Sequence, residues 1–186
     1  MTYIRDAGPA DAARLAEIHA LSWKVAYRGL LSSAFLDGLD ANSRLDWWIA
    51  RLARIPPRWS VLVAERQGRV TGFVTIGHCD DNDRSTLEAG ELYAMYVDPD
   101  HWGAGFGRDL LLSAEDRFRT DGYTDASLWV FADNQRARRF YEIGGWRADD
   151  AEKRMVIGSD AVTAVRYLRK VPPEGLVTIK KRERRT

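Results

Sequence analysis

A single cysteine, Cys79, stands in a chain of 186 residues. It excludes an intrachain disulfide and any multi-cysteine metal site. Long apolar runs are missing as well: nothing approaches the roughly 20 residues a membrane-spanning helix needs. The opening MTYIRDAGPADAARL has no apolar stretch behind a basic front, so it does not read as a secretory signal. Neither sign of charge is in excess, because 28 basic and 27 acidic residues leave a formal net charge of +1. That balance gives no general electrostatic case for nucleic acid or a membrane as partner. The chain also lacks linkers, internal repeats and low-complexity segments. These absences lead us to expect a cytoplasmic protein.

What is present suits one globular domain: 45% of residues are hydrophobic and 30% charged. We expect a single domain over residues 1–171 and a basic tail over 172–186, ending in KKRERRT. Thr2 to Asp6 reads as a strand, and Ala10 to Tyr27 has helical spacing, with Leu15, Ile18 and Leu21 available for burial. Ser32-Ser33 and Asn42-Ser43 are alternative caps for a further helix, of which Leu45 to Ile55 is the longer stretch, stopped by Pro56-Pro57. Trp59 to Glu65 and Val70 to Cys79 predict a hairpin around Gln67-Gly68. Beyond the polar loop Asp80 to Arg84, the order is strand (Glu91 to Val97), helix (Arg108 to Thr120), strand (Ala126 to Phe131) and helix (Asn134 to Ile143). Arg154 to Ile157 and Thr163 to Lys170 read as closing strands. Strands joined through helices should run parallel, and those of the hairpin antiparallel. The fold class is therefore α/β, with a mixed sheet covered by helices.

The loop WGAGFG, Trp102 to Gly107, sits after a strand and opens a helix. Glycine lets backbone approach a ligand closely. First-turn N–H groups have no intrahelical partners, and the helix dipole is positive there. An anion cradle follows, suited to a pyrophosphate. The third glycine comes one residue too early for a dinucleotide fingerprint, and Gly107 is followed by Arg108-Asp109 rather than the Lys-Ser/Thr of a P-loop. An ordinary tight strand-to-helix turn is the plain alternative.

The context of the loop narrows the choice. Strand ELYAMYV, Val97-Asp98-Pro99, WGAGFG and an apolar helix resemble the coenzyme A motif of the GNAT superfamily of N-acetyltransferases. Asn134, Ala137, Phe140, Tyr141, Glu142, Gly145 and Trp146 resemble that family's second signature, in the family's order. The run IRDAGPADAARLAEIHALSW is similar to its first strand and helix, so the resemblance reaches to about Lys170. It departs at Trp102, where the family usually has Arg or Gln, and this bears on affinity for the coenzyme.

The resemblance implies a mostly antiparallel mixed sheet flanked by helices, with a splayed parallel strand pair around the coenzyme site. It implies an acetyl-CoA-dependent N-acetyltransferase (an acyltransferase of EC 2.3.1 type) acting on a primary amine of a small molecule or peptide by direct attack in a ternary complex. Acetyl-CoA would be a cosubstrate and no metal would be needed. Glu91 takes the place of the family's base and Tyr141 that of the acid for the departing thiolate. Coenzyme contacts fall on Met95, Tyr96 and Val97, on Trp102, Gly103, Ala104, Gly105, Phe106, Gly107 and Arg108, and on Asn134 and Arg138. Arg136 and Arg139 are further candidates for the outer phosphate. A noncatalytic acyl-CoA-binding or sensor module on the same fold is the alternative from another class.

Outside the motifs, Trp23, Tyr27, Trp47 and Trp48 could wall an acceptor site, since aromatic faces hold cationic amines. Tyr93 joins Trp23 and Tyr27 as a substrate-binding candidate, and Asp80, Asp81 and Asp83 could add negative field. Polyamine, aminoglycoside, amino acid and protein N-terminus all stay open as acceptors, as does a homodimer. His78-Cys79-Asp80 could suggest a thiol nucleophile or a metal site, but no supporting pattern accompanies it.

Overall fold

The computed structural model describes residues 2–172. Most of the expected basic tail, from residue 173 on, lies outside the described residues. The elements run β1 (Tyr3–Asp6), α1 (Ala12–Ala26), α2 (Ser33–Asp37), α3 (Asn42–Ala53), β2 (Ser60–Arg66), β3 (Arg69–His78), β4 (Ala89–Val97), α4 (Phe106–Thr120), β5 (Asp125–Phe131), α5 (Gln135–Ile143), β6 (Arg147–Ile157) and β7 (Asp160–Lys170).

The seven strands form one sheet in the order β1-β2-β3-β4-β5-β7-β6. Every neighbouring pair is antiparallel except β4 and β5. The fold is thus mixed α/β with a mainly antiparallel sheet and helices on both faces. The β2–β3 turn uses Gln67 (φ 52°) and Gly68 (φ 75°), the left-handed pair that a two-residue hairpin requires. Helix α4 carries β4 across to β5, which lies beside it and parallel. Helix α5 joins β5 to β6, which also point the same way, yet β7 lies between them.

Alternation along β2 shows how both faces are filled. Leu62 and Ala64 face α4, among Phe106, Leu110, Ala114 and Phe118, while Val61 and Val63 face α1 and α3, among Leu15, Ile18 and Trp48. Leu110 has no exposed surface, so Leu110→Ala would cost about 2–5 kcal/mol through lost burial and the cavity left behind. A third, smaller cluster (Leu31, Leu36, Leu39) joins α2 to the tip of the β6–β7 hairpin. There the Ser32 N–H donates to Asp160 Oδ2 at 2.8 Å.

Several boundaries differ from the sequence expectation. A 3-10 turn at Pro9–Asp11 precedes α1, which begins at Ala12. Asp11 shapes that turn, accepting from the Gly8 N–H and holding Arg5 through both carboxylate oxygens. Both candidate cap sites begin helices, but the side chain that closes the start of α3 is Asp40, whose Oδ1 accepts from the Ser43 N–H at 2.6 Å. Strand β6 begins at Arg147, seven residues before the expected start, because an edge strand tolerates the charged run DDAEK. Among the described residues no helix is long and apolar enough to cross a membrane.

Candidate active site

Strands β4 and β5 pair only from Ala89 to Leu92 against Asp125 to Leu128. Beyond that point β4 runs on to Val97 and β5 to Phe131 without pairing to each other. The β3–β4 register explains the change: Ile76 faces Leu92 and Thr75 faces Ala94, so Tyr93 is an extra residue, a bulge. The bulge resets the alternation. Leu92, Met95 and Val97 point into the α4 side of the core, while Ala94 and Tyr96 point to the α1 side. A cavity of about 420 Å³ opens in the gap, lined by β4 from Leu92 to Val97, by Trp129 to Phe131 of β5, by the start of α4 and by Tyr141 of α5.

The glycine turn closes one end of this cavity. Gly103 (φ 80°) and Gly105 (φ 93°) are left-handed, and a Cβ built on either meets nothing within 4 Å among the described residues. The first bond of α4 is the Asp109 N–H to Gly105 O at 3.1 Å. The N–H groups of Gly105, Phe106, Gly107 and Arg108 therefore have no acceptor among the described residues. Asp98 braces the turn from behind: it is buried, paired with Arg14, and accepts the Asp100 N–H at 3.1 Å. Trp102 Nε1 donates to Val97 O at 2.8 Å. Arg136, also on the cavity, lays its guanidinium over the Trp102 ring at 3.4 Å from the centroid and has no carboxylate partner among the described residues. Bare donors, a helix dipole and an unpaired arginine make this end fit a phosphate.

The other end is aromatic. Tyr27 and Tyr96 meet hydroxyl to hydroxyl at 3.3 Å, and both line the cavity with Tyr93 and Trp129. Tyr141 is buried on the cavity wall, and its hydroxyl has no hydrogen-bond partner among the described residues. Burial, with Tyr27 adding to it, raises the Tyr141 phenol well above its ordinary range, so it rests protonated. Glu91 sits one residue behind the cavity wall and is 7% exposed. Burial first, then the nearby Asp81 carboxylate, pushes it up to about 7.

Of the coenzyme candidates, Met95, Tyr96, Val97, Trp102, Gly103, Gly105, Phe106, Gly107, Arg108 and Asn134 lie on the cavity. Phe106 buries its ring in the core, which leaves its backbone for a ligand. Asn134 uses its side chain to cap α5, accepting the Ala137 N–H at 3.1 Å. Three candidates lie off the cavity wall. Arg138 turns away, donating to Tyr167 Oη at 3.1 Å and Ala132 O at 2.9 Å, so Arg136 is the arginine that α5 presents to the cavity. Ala104 is exposed and off the cavity wall. Trp23 packs edge-on behind Tyr27, with ring centroids 5.0 Å apart, and backs the wall without lining it. Trp48 is core, 1% exposed, and Trp47 faces solvent.

Cys79 is buried, with Sγ 3.2 Å from Ser127 Oγ, and burial raises its thiol, which disfavours a nucleophilic thiolate. Cys79, Asp81 and Glu91 each offer a donor atom within 4.8 Å of the others. Asp81 is already engaged, accepting from Trp129 Nε1 at 3.1 Å and from Arg166 at 3.2 Å. Trp129 and Arg166 escaped the sequence reading. Trp129 alternates with the buried Leu128 and Val130, which is a signal for the opposite face.

Comparison with known proteins defines the class. The model of the acetyltransferase (GNAT) family matches residues 15–145. The chain belongs to this family of acetyl-CoA-dependent acetyltransferases. It is 34% identical over 146 residues to the L-amino acid N-acyltransferase MnaT of Escherichia coli, spanning 77% of this chain and 78% of that one. It is 36% identical over 125 residues to the L-methionine sulfoximine/L-methionine sulfone acetyltransferase of Salmonella typhimurium, 64% of each chain. The structure of YncA from Salmonella typhimurium with its cofactor acetyl-CoA superposes with a TM-score of 0.68 at 26% identity, covering 94% of this chain and 96% of that one.

Proposed function

We propose that this acetyltransferase moves the acetyl group of acetyl-CoA to the primary amine of a small molecule or peptide by direct attack in a ternary complex. The observation that carries the reading is the parting of β4 from β5 beside a turn of unpartnered N–H groups. The turn would hold the pyrophosphate, with Arg136 contributing charge. The unpaired edge of β4 would pair with the pantetheine arm, which makes this gap the splayed strand pair around the coenzyme. An N–H freed by the bulge would polarise the thioester carbonyl.

The amine arrives protonated at neutral pH and must shed two protons as the C–N bond forms and the C–S bond breaks. Glu91, set back from the wall, takes one through a water. It is half ionised near pH 7, which suits a base working there. The other replaces the proton that Tyr141 gives to the departing sulfur, so Tyr141 ends each cycle as it began. The names of MnaT and of the sulfoximine enzyme favour amino-acid acceptors within the amine class, and Tyr27, Tyr93, Tyr96 and Trp129 line the cavity.

The test is thiol release from acetyl-CoA across L-methionine, its sulfone, other L-amino acids, polyamines and a short peptide. Release that needs one of these amines supports the reading. Tight binding of acetyl-CoA with no release on any of them would favour the noncatalytic binding module instead.

A further inference from the structure

Arg166 lies on β7, beside the edge strand β6 and opposite Trp129 in the β5–β7 register, and is 5% exposed. A buried guanidinium needs partners. Among the described residues it has three, none on its own strand. It grips Asp83 with two bonds of 2.7 and 2.6 Å, Asp149 of β6 with bonds of 3.0 and 2.8 Å, and Asp81 with one of 3.2 Å. Asp81 and Asp83 belong to the loop between β3 and β4, so one side chain ties that loop to the far half of the sheet. Asp81 is fixed a second time by Trp129 Nε1, which reaches both of its oxygens at 3.1 Å. So anchored, Asp81 has a carboxylate oxygen within 4.8 Å of one on Glu91.

We propose that Arg166 is a positioning residue for catalysis: by clamping the β3–β4 loop it holds the Asp81 carboxylate beside Glu91. This rests on the reading of Glu91 as the base. The other titratable groups around Glu91 are Cys79 just after β3, Asp80 from the loop, Tyr93 from its own strand and Lys153 from β6. Only Asp81 among them is held by a buried counter-charge. A fixed negative neighbour keeps a proton on Glu91 to higher pH than burial alone would, which strengthens it as a base. Arg166 supplies the fixing, and its own charge stays shared among three carboxylates.

The experiment is the pH dependence of kcat/KM for one amine acceptor, measured on the full-length enzyme and on Glu91→Gln, Asp81→Asn, Arg166→Lys and the Asp81→Asn/Arg166→Lys pair. Arg166→Lys keeps the charge and loses the fork that spans the partners. The wild-type profile should rise with a midpoint near 7. In Asp81→Asn the midpoint should move down by about one unit, as expected on removing a like charge. Arg166→Lys should move it in the same direction, and the paired variant should move it no further than Asp81→Asn alone. An unmoved midpoint in either folded single variant, or additive shifts in the pair, overturns the proposal. Should Arg166→Lys not fold, Asp83→Ala takes its place with the same expectation, because Asp83 is largely exposed. A midpoint that survives in Glu91→Gln would instead bring down the base assignment itself, and is told apart by that variant.

Discussion

The guanidinium of Arg136 lies 3.4 Å from the centroid of the Trp102 ring, where α5 meets the glycine turn. Position 102 is where the family motif usually has Arg or Gln, so here the positive charge reaches the turn from another element. Burial lowers the Arg136 pKa, yet the group has no carboxylate to offset its charge among the described residues. Arg136→Ala should weaken acetyl-CoA binding about tenfold, roughly 1.4 kcal/mol, and make it less sensitive to salt. Calorimetric titration at two ionic strengths decides it, and unchanged affinity would reduce the stack to packing.

Gly105 probes the turn itself. At φ 93° any side chain is strained, although the space beside it is open. Gly105→Val should lose at least tenfold in acetyl-CoA affinity and some thermal stability. Full affinity in the folded variant would argue against a backbone cradle.

Tyr141→Phe removes one hydroxyl and leaves the buried ring in place. Turnover should fall by about 10²-fold, the usual scale for a positioned proton donor, with acetyl-CoA affinity nearly intact. Steady-state kinetics on an acceptor for which chemistry limits the rate checks this, and an unchanged kcat rules the acid role out.

Glu91 also leaves a trace in stability. Its carboxyl titrates at about 7 in the folded chain against an ordinary value of 4.5. The folded state therefore holds the proton more tightly, and stability is lost as pH rises from 4.5 to 7. Glu91→Gln should be more stable than wild type at pH 8, by up to roughly 3 kcal/mol, and similar to it at pH 4.5. Urea unfolding at the two pH values gives the comparison; equal differences at both would mean the carboxylate is not strained by burial.

His19 works in the opposite direction. It is packed among Trp23, Trp48, Phe73 and Tyr96, and burial followed by Arg44 lowers it from 6.5 to about 4. The unfolded chain then takes up the proton first, so the fold loses stability as pH falls from 6.5 to 4. His19→Phe should remove up to roughly 3 kcal/mol of that acid sensitivity. Melting temperatures across this range should be flatter in the variant.

The motifs made the sheet's centre legible from the chain alone, because each glycine and each apolar spacing there serves local geometry. Less was legible where partners come from afar. Arg138 and Arg136 look alike in sequence, but Arg136 shares a helical face with Phe140, and that i,i+4 spacing turns it to the cavity. The Tyr93 bulge has no glycine to announce it and follows from how β3 and β4 must register. Arg166 was invisible as a hub, since its three carboxylates lie 17 to 85 positions away along the chain.

The strand order imposes a sequence of events on a growing chain. Strand β6 is synthesised before β7, but among the described strands it pairs with β7 alone. Until β7 inserts, β5 presents a bare hydrogen-bonding edge, with Trp129 and Val130 along it, to any neighbouring polypeptide. A nascent chain paused at Ile157 would thus carry most of the coenzyme end of its cavity and still be prone to pair with other chains, a hazard that ends when the last hairpin closes.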